Sequence, residues 1–109
     1  MFIDFTDEQK ALREELREYY ANLITPEVLE LQKQEEGTGP VRRRLVEQLG
    51  EDGWIAMGWP EEYGGQGKSA IEQFIFYDET MRVGSPAPML TINTVGPTIM
   101  EYGTDEQKE

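Results

Sequence analysis

The sequence contains neither cysteine nor histidine. Without cysteine there are no disulfides and no thiol chemistry, and without both residues the usual zinc ligand sets and histidine-activated nucleophiles are excluded. The N-terminus has no basic start followed by an apolar run, as a secretory signal requires, so we expect a cytoplasmic protein. The uncharged stretch over residues 85–100 is broken by three prolines and a glycine, which excludes a membrane span there.

Basic residues are also scarce: 10 lysines and arginines stand against 22 acidic residues, a net charge of -12. This balance argues against nucleic acid or an anionic membrane as partner, because both are themselves negatively charged. The one dense basic spot, residues 42–44, lies within a helical pattern and is explained as a solvated helix face. With 109 residues, the chain is expected to form one domain, 1–109, with a modest core.

Helix start signals divide the first half of the chain. Thr6 with Gln9 forms a capping box, in which each side chain accepts a hydrogen bond from the other residue's backbone N–H. It predicts a first helix from about Asp7 to Leu23. Prolines at first helical positions predict a short helix from Pro26 through Leu31 and another from Pro40 toward Asp52, where Gly53 is expected to end it.

The second half continues the helical pattern. Ser69 is expected to cap a fourth helix whose apolar residues face a core: Ile71, Phe74, Ile75, Tyr77 and Met81. A fifth helical segment is predicted over residues 89–102, bent or split at Gly96-Pro97 and ended by Gly103. The predicted fold class is therefore all-α, an up-and-down bundle of four to five helices.

A second capping box, Thr104 with Gln107, opens a further helix close to Glu109. Such a cap is normally followed by an apolar stripe, so we expect the sequence to be the front part of a larger protein. The helices carry broad apolar faces with few elements to cover them, and an exposed apolar patch is therefore predicted.

Two motifs suggest chemistry that the sequence does not support. Residues 64–69 end like a phosphate-binding loop, but Glu62 stands where the pattern needs glycine and no apolar strand precedes it. Glu61 and Glu62 are adjacent and diverge, so they are interpreted as the acidic start of a turn rather than an acid–base pair. The aromatic residues are interpreted as core rather than as a stacking site for a ligand: Tyr19, Tyr20, Trp54 and Trp59.

A family resemblance is carried by several segments in order. Residues 53–54 and 59–67, Gly-Trp followed by Trp-Pro-Glu-Glu-Tyr-Gly-Gly-Gln-Gly, resemble the signature loop of the acyl-CoA dehydrogenase N-terminal domain. The opening at residues 5–9, the helix end at 78–86 and Gly-Thr-Asp-Glu-Gln-Lys at 103–108 are similar to other family segments. Residues 58–60 and 91–100 look most like actinobacterial members that act on steroid side-chain thioesters.

The resemblance implies an FAD-dependent enzyme that introduces an α,β double bond into an acyl-CoA thioester. In the family a glutamate late in the chain removes the α-proton, and the flavin, bound between the later domains, accepts the β-hydride. No catalytic, flavin-binding or metal-binding residue is assigned to this sequence, which alone is not expected to be an enzyme or to bind FAD. The missing middle and C-terminal domains, an acyl-CoA substrate and a homo- or hetero-oligomer are the implied partners.

One role follows from position within the family. The helix before the Gly-Thr-x-x-Gln-Lys segment borders the acyl-chain cavity, so Leu90, Asn93, Thr94 and Thr98 are the predicted pocket residues. Core packing or contact with another domain is the alternative for each. Two other functions stay open: an acidic helical module that binds a protein partner, and a non-catalytic subunit of a heteromeric dehydrogenase.

Overall fold

The computed structural model describes residues 1, 3–36 and 38–109, and over this part of the chain the fold is all-helical. Six α-helices are present among the described residues: α1 (Asp7–Leu23), α2 (Pro26–Gln34), α3 (Pro40–Glu51), α4 (Ala70–Val83), α5 (Gly96–Tyr102) and α6 (Asp105–Lys108). A short 3₁₀-helix, Glu61–Tyr63, lies between α3 and α4, and a π-helical turn, Thr91–Val95, directly precedes α5. The predicted all-α class is confirmed.

Helix starts follow the predicted caps. The Thr6 Oγ1 accepts a hydrogen bond from the Gln9 N–H at 3.2 Å, and the Gln9 side chain accepts one from the Thr6 N–H at 2.9 Å. Ser69 with Glu72 forms the same reciprocal pair at the start of α4. Pro26 and Pro40 are the first residues of α2 and α3, as predicted. Each of these caps involves only residues within the first turn of its helix, so the local sequence is sufficient to predict it.

The core lies where α1 packs on α4 and α3 packs on α2. It consists of nine buried residues: Leu16, Tyr20, Ile24, Val41, Leu45, Leu49, Met57, Ile75 and Phe76. Tyr19 and Trp54 pack against this cluster, and the Trp54 ring stacks on Phe76 with centroids 6.4 Å apart. Three of the four aromatic residues considered above therefore belong to the core, as predicted.

The prediction for the face of α4 is wrong in part. Ile75 is buried and Tyr77 half-buried, but Ile71, Phe74 and Met81 are 48%, 55% and 73% exposed. The inward face instead includes two polar residues, Glu79 and Thr80, which are fully buried. Their burial is tolerated because each finds a hydrogen-bonding partner, which apolar periodicity alone does not reveal.

The domain is a slab of 44 × 43 × 22 Å with a radius of gyration of 15.4 Å. A compact chain of this length is expected to have a radius of gyration of about 13 Å. The open shape leaves large apolar side chains at the surface, as the sequence predicted. Among the described residues, no helix is both long and apolar enough to cross a bilayer.

Candidate functional site

The glycine-rich loop over residues 64–69 is folded onto itself. All six backbone N–H groups donate hydrogen bonds to nearby parts of the same chain. The N–H of Ser69 donates to the Glu72 carboxylate. Those of residues 64–68 donate to backbone carbonyl oxygens of residues that precede them, in the order Glu61, Pro60, Met57, Trp59 and again Met57. A phosphate-binding loop works by presenting such N–H groups to the ligand. This loop has none of these six to offer, which supports its interpretation as a structural element.

The loop encloses the backbone of Trp59. The Trp59 N–H donates to the Ala56 carbonyl, and its own carbonyl accepts from the Gly67 N–H, each at 2.9 Å. A Cβ atom at Gly65 would overlap the Trp59 carbonyl, so glycine is required there for close approach. The glycines thus hold Trp59 in place rather than a ligand.

The Trp59 side chain connects this loop to the 89–102 segment. Its indole Nε1–H donates to the Ile92 carbonyl at 2.9 Å, and its ring lies against Gly96, where a Cβ atom would overlap it. In the π-helical turn the Gly96 N–H donates to the Thr91 carbonyl, five residues back. By the same spacing the Ile92 carbonyl would accept from the N–H of residue 97, but Pro97 has no N–H. The indole therefore supplies the hydrogen bond that the Ile92 carbonyl lacks.

The predicted interruption at Gly96-Pro97 coincides with the change from π-helix to α-helix at Gly96. The chain stays helical through this point, because Val95 and Gly96 both have right-handed helical dihedral angles. A proline in a helix removes one backbone hydrogen bond and crowds the preceding turn. A wider π turn relieves that crowding, so the segment continues instead of breaking.

All four predicted pocket residues are exposed on the 89–102 segment. Leu90 is 70% exposed. Thr98 donates its hydroxyl to the Thr94 carbonyl at 2.6 Å, and Asn93 Oδ1 accepts from the Tyr77 hydroxyl at 2.7 Å. We name Leu90, Thr94 and Thr98, which are exposed and four residues apart, the outer row. Their role in a pocket stays a prediction.

Asn93 differs from the outer row because it lines an open cavity of about 300 Å³. Trp59 and Met100 are among the residues of its wall, and the Gln73 and Asn93 amides give it polar character. Burial raises the pKa of Tyr77, although the hydrogen bond to Asn93 partly offsets this. The Tyr77 hydroxyl therefore remains protonated at neutral pH and acts as a donor to Asn93.

A larger open cavity, about 610 Å³, lies on another face of the same segment. Thr91, Val95 and Ile99 form one wall, four residues apart, while Trp59 and Tyr63 contribute from the loop. Sequence reasoning missed this wall, although its apolar spacing of four was visible. The apolar wall suits contact with apolar surface, and the charged residues Glu62, Lys108 and Glu109 also border the cavity.

Comparison with known proteins places this architecture in a family. The family model for the acyl-CoA dehydrogenase N-terminal domain matches residues 6–109. The chain therefore belongs to the acyl-CoA dehydrogenase family, as an N-terminal helical domain. It is 56% identical over 111 residues to acyl-CoA dehydrogenase FadE26 of Mycobacterium tuberculosis, covering 99% of this chain, and 44% identical over 110 residues to FadE29 of the same organism, covering 100%.

Solved structures agree with this assignment. The crystal structure of the ChsE4-ChsE5 complex from Mycobacterium tuberculosis contains a similar chain, with a TM-score of 0.87 and 55% identity over 99% of this chain. A steroid acyl-CoA dehydrogenase, Tcur3481-Tcur3483, gives a TM-score of 0.87 and 46% identity over 99%. The chain spans 28% of the length of FadE26 and FadE29, and 27% and 28% of the two matched structural chains.

Proposed function

We propose that this chain is the substrate-side domain of an FAD-dependent acyl-CoA dehydrogenase that desaturates a steroid side-chain thioester in the cytoplasm. The outer row is the observation that carries the proposal. Leu90, Thr94 and Thr98 are uncharged, exposed and turned away from the core, as the wall of an apolar acyl pocket requires. The two threonines are small and leave room for a bulky acyl group.

The glycine-rich loop at residues 64–69 does not fit the pyrophosphate of FAD. The six amides of residues 64–69 are already hydrogen-bonded within the protein, and Glu62 stands beside them. We therefore assign flavin binding and proton abstraction to other parts of the enzyme. The contribution of this domain is to bind and orient the acyl group and to exclude water from it.

A second subunit of the same family is the proposed partner. One similar structure is the ChsE4-ChsE5 complex, and another is the steroid acyl-CoA dehydrogenase Tcur3481-Tcur3483. The exposed apolar residues of α4, Ile71, Phe74 and Met81, are available for contact with further parts of such an assembly. An isolated chain would leave this surface in water, at a cost of about 25 cal/mol per Å².

Substitution in the outer row tests the proposed function. Thr94→Phe in the full-length enzyme should lower kcat/KM for a steroid side-chain CoA thioester about 10- to 100-fold relative to butyryl-CoA, because the added ring fills space that only the bulky acyl group needs. Thr91→Phe is the matched control, since Thr91 has the same side chain on the same segment but lines the 610 Å³ cavity instead.

Three results are distinguishable. A selective loss for Thr94→Phe supports the proposal. Equal effects of the two variants would place the acyl pocket on a different face of the segment. Absence of desaturation by the wild-type enzyme, assayed with an artificial electron acceptor together with its partner subunit, would favour the alternative of a protein-binding module.

A further inference from the structure

The π-helical turn changes which residues of the 89–102 segment share a face. An α-helix rotates by about 100° per residue, so Leu90 and Thr98, eight positions apart, would be offset by about 80° in an uninterrupted helix. A π turn inserts one extra residue into that turn. The offset then falls to about 20°, which aligns Leu90, Thr94 and Thr98 as a single row.

The turn depends on a contact that lies far away in the sequence. Pro97 denies the Ile92 carbonyl a backbone donor, and the Trp59 indole N–H provides one at 2.9 Å. Ile92 is 3% exposed, so water is a poor substitute for that donor. The indole ring also fills the space beside Gly96. One side chain thus satisfies the buried carbonyl and fixes the distance of the turn from the loop.

Trp59 is suited to this role because its own backbone is held. Its N–H and carbonyl are both hydrogen-bonded within the loop, and the glycine at position 65 allows the chain to pass over its carbonyl. A second contact, from the Tyr77 hydroxyl to Asn93, holds the turn from the side of α4. The glycine-rich motif therefore acts on the 89–102 segment through Trp59.

We propose that Trp59 is a positioning residue for substrate specificity: its indole holds the π turn in the arrangement that presents the outer row to the acyl group. This proposal rests on the proposed function and adds to it a residue that does not itself belong to the outer row. Loss of the indole hydrogen bond should let the turn relax, rotate the outer row and reduce the preference for bulky substrates.

The test compares Trp59→Phe with Trp54→Phe in the full-length enzyme. Both changes remove an indole N–H, but Trp54 stacks on Phe76 in the core, and its indole N–H makes no hydrogen bond among the described residues. Two quantities are measured: hydrogen–deuterium exchange of peptides covering residues 89–102, and the ratio of kcat/KM for a steroid side-chain CoA thioester to that for butyryl-CoA.

Trp59→Phe should accelerate exchange within residues 89–102 and lower the ratio about fivefold, as expected for the loss of one hydrogen bond to a buried group. Trp54→Phe should leave the ratio at the wild-type value. Gly96→Ala is a second variant, which keeps the indole N–H but forces the Trp59 ring away from the turn. It should also lower the ratio.

The proposal is overturned if the kcat/KM ratio of Trp59→Phe and of Gly96→Ala equals that of Trp54→Phe. It is also overturned if exchange over residues 89–102 does not change. If Trp59→Phe does not fold, the same two criteria apply to Gly96→Ala alone. A wild-type enzyme that desaturates neither thioester overturns the proposed function and the specificity role with it. In that case the exchange measurement still reports whether Trp59 holds the turn.

Discussion

The hydroxyl oxygens of Tyr20 and Thr80 lie 2.6 Å apart in the core between α1 and α4, and both residues are fully buried. The Thr80 hydroxyl also lies 2.6 Å from the Phe76 carbonyl, which can only accept. The Thr80 proton is therefore directed to that carbonyl, and Tyr20 donates to Thr80. The two hydroxyls form a short chain that ends on the backbone of α4.

This chain predicts non-additive effects on stability. Thr80→Val removes the acceptor of a buried tyrosine hydroxyl and should lower the free energy of unfolding by about 1–3 kcal/mol. Tyr20→Phe removes the donor and leaves the Thr80 bond to Phe76 intact, so its cost should be smaller. The double variant should be less destabilised than the sum of the two, with a coupling of about 1 kcal/mol in urea unfolding. Additive effects would show that the two hydroxyls do not interact.

Glu79 predicts how stability depends on pH. Its carboxylate is 1% exposed and accepts hydrogen bonds from Arg17 at 3.0 Å and Arg82 at 2.7 Å. Burial by itself raises the pKa of Glu79, but the two arginines outweigh it, and the pKa lies below the usual 4.5. The contribution to stability is therefore complete above about pH 4.5 and is lost as the pH falls through the lowered pKa.

Glu79→Gln should accordingly destabilise the domain by about 2 kcal/mol at pH 7. The difference from wild type should shrink as the pH is lowered from 4.5 toward 3, because the wild-type carboxylate becomes neutral there. Thermal unfolding across pH 3–7 measures this difference. Glu18→Gln, at an exposed position on α1, is the matched control and should leave the curve unchanged. A constant difference at every pH would mean that the charge of Glu79 plays no part.

Two glycine-to-alanine substitutions in the glycine-rich loop should lower the free energy of unfolding for different physical reasons. Gly64 has φ +83°, with open space around a hypothetical Cβ atom, so Gly64→Ala should cost about 1 kcal/mol through backbone strain alone. A Cβ atom at Gly65 would overlap the Trp59 carbonyl, so Gly65→Ala should cost more, because the loop has to open. Chemical denaturation measures both variants. The reverse order would mean that the loop does not enclose Trp59.

Local signals predicted much of the fold. The capping box at Thr6, the cap at Ser69 and the prolines at positions 26 and 40 located the starts of α1 to α4, because each involves residues within one turn. The face of α4 that is buried was not predictable in the same way. Phe74 is apolar and exposed while Glu79 is charged and buried, since Arg17 on another helix stabilises the carboxylate.

The candidate site shows the same limit. Pro97 predicted an interruption in the helical segment, and the structure has a π turn there. The donor that completes this turn, Trp59, lies 33 residues before Ile92, and no periodicity connects them. Whether the exposed residues of this segment line a pocket depends on surfaces other than this chain, so the roles of Leu90, Asn93, Thr94 and Thr98 remain predictions.

The 89–102 segment is attached to the loop through the main-chain carbonyl of Ile92 and the α-carbon of Gly96, and to α4 through the side chain of Asn93. Leu90, Thr94 and Thr98 take no part in these three contacts. Mutation at position 90, 94 or 98 therefore alters the surface without loosening the scaffold. After a gene duplication, two copies are free to diverge at these three codons while both still fold. On the proposed function, such an arrangement would let one ancestral domain give rise to paralogues with different ligands through very few substitutions.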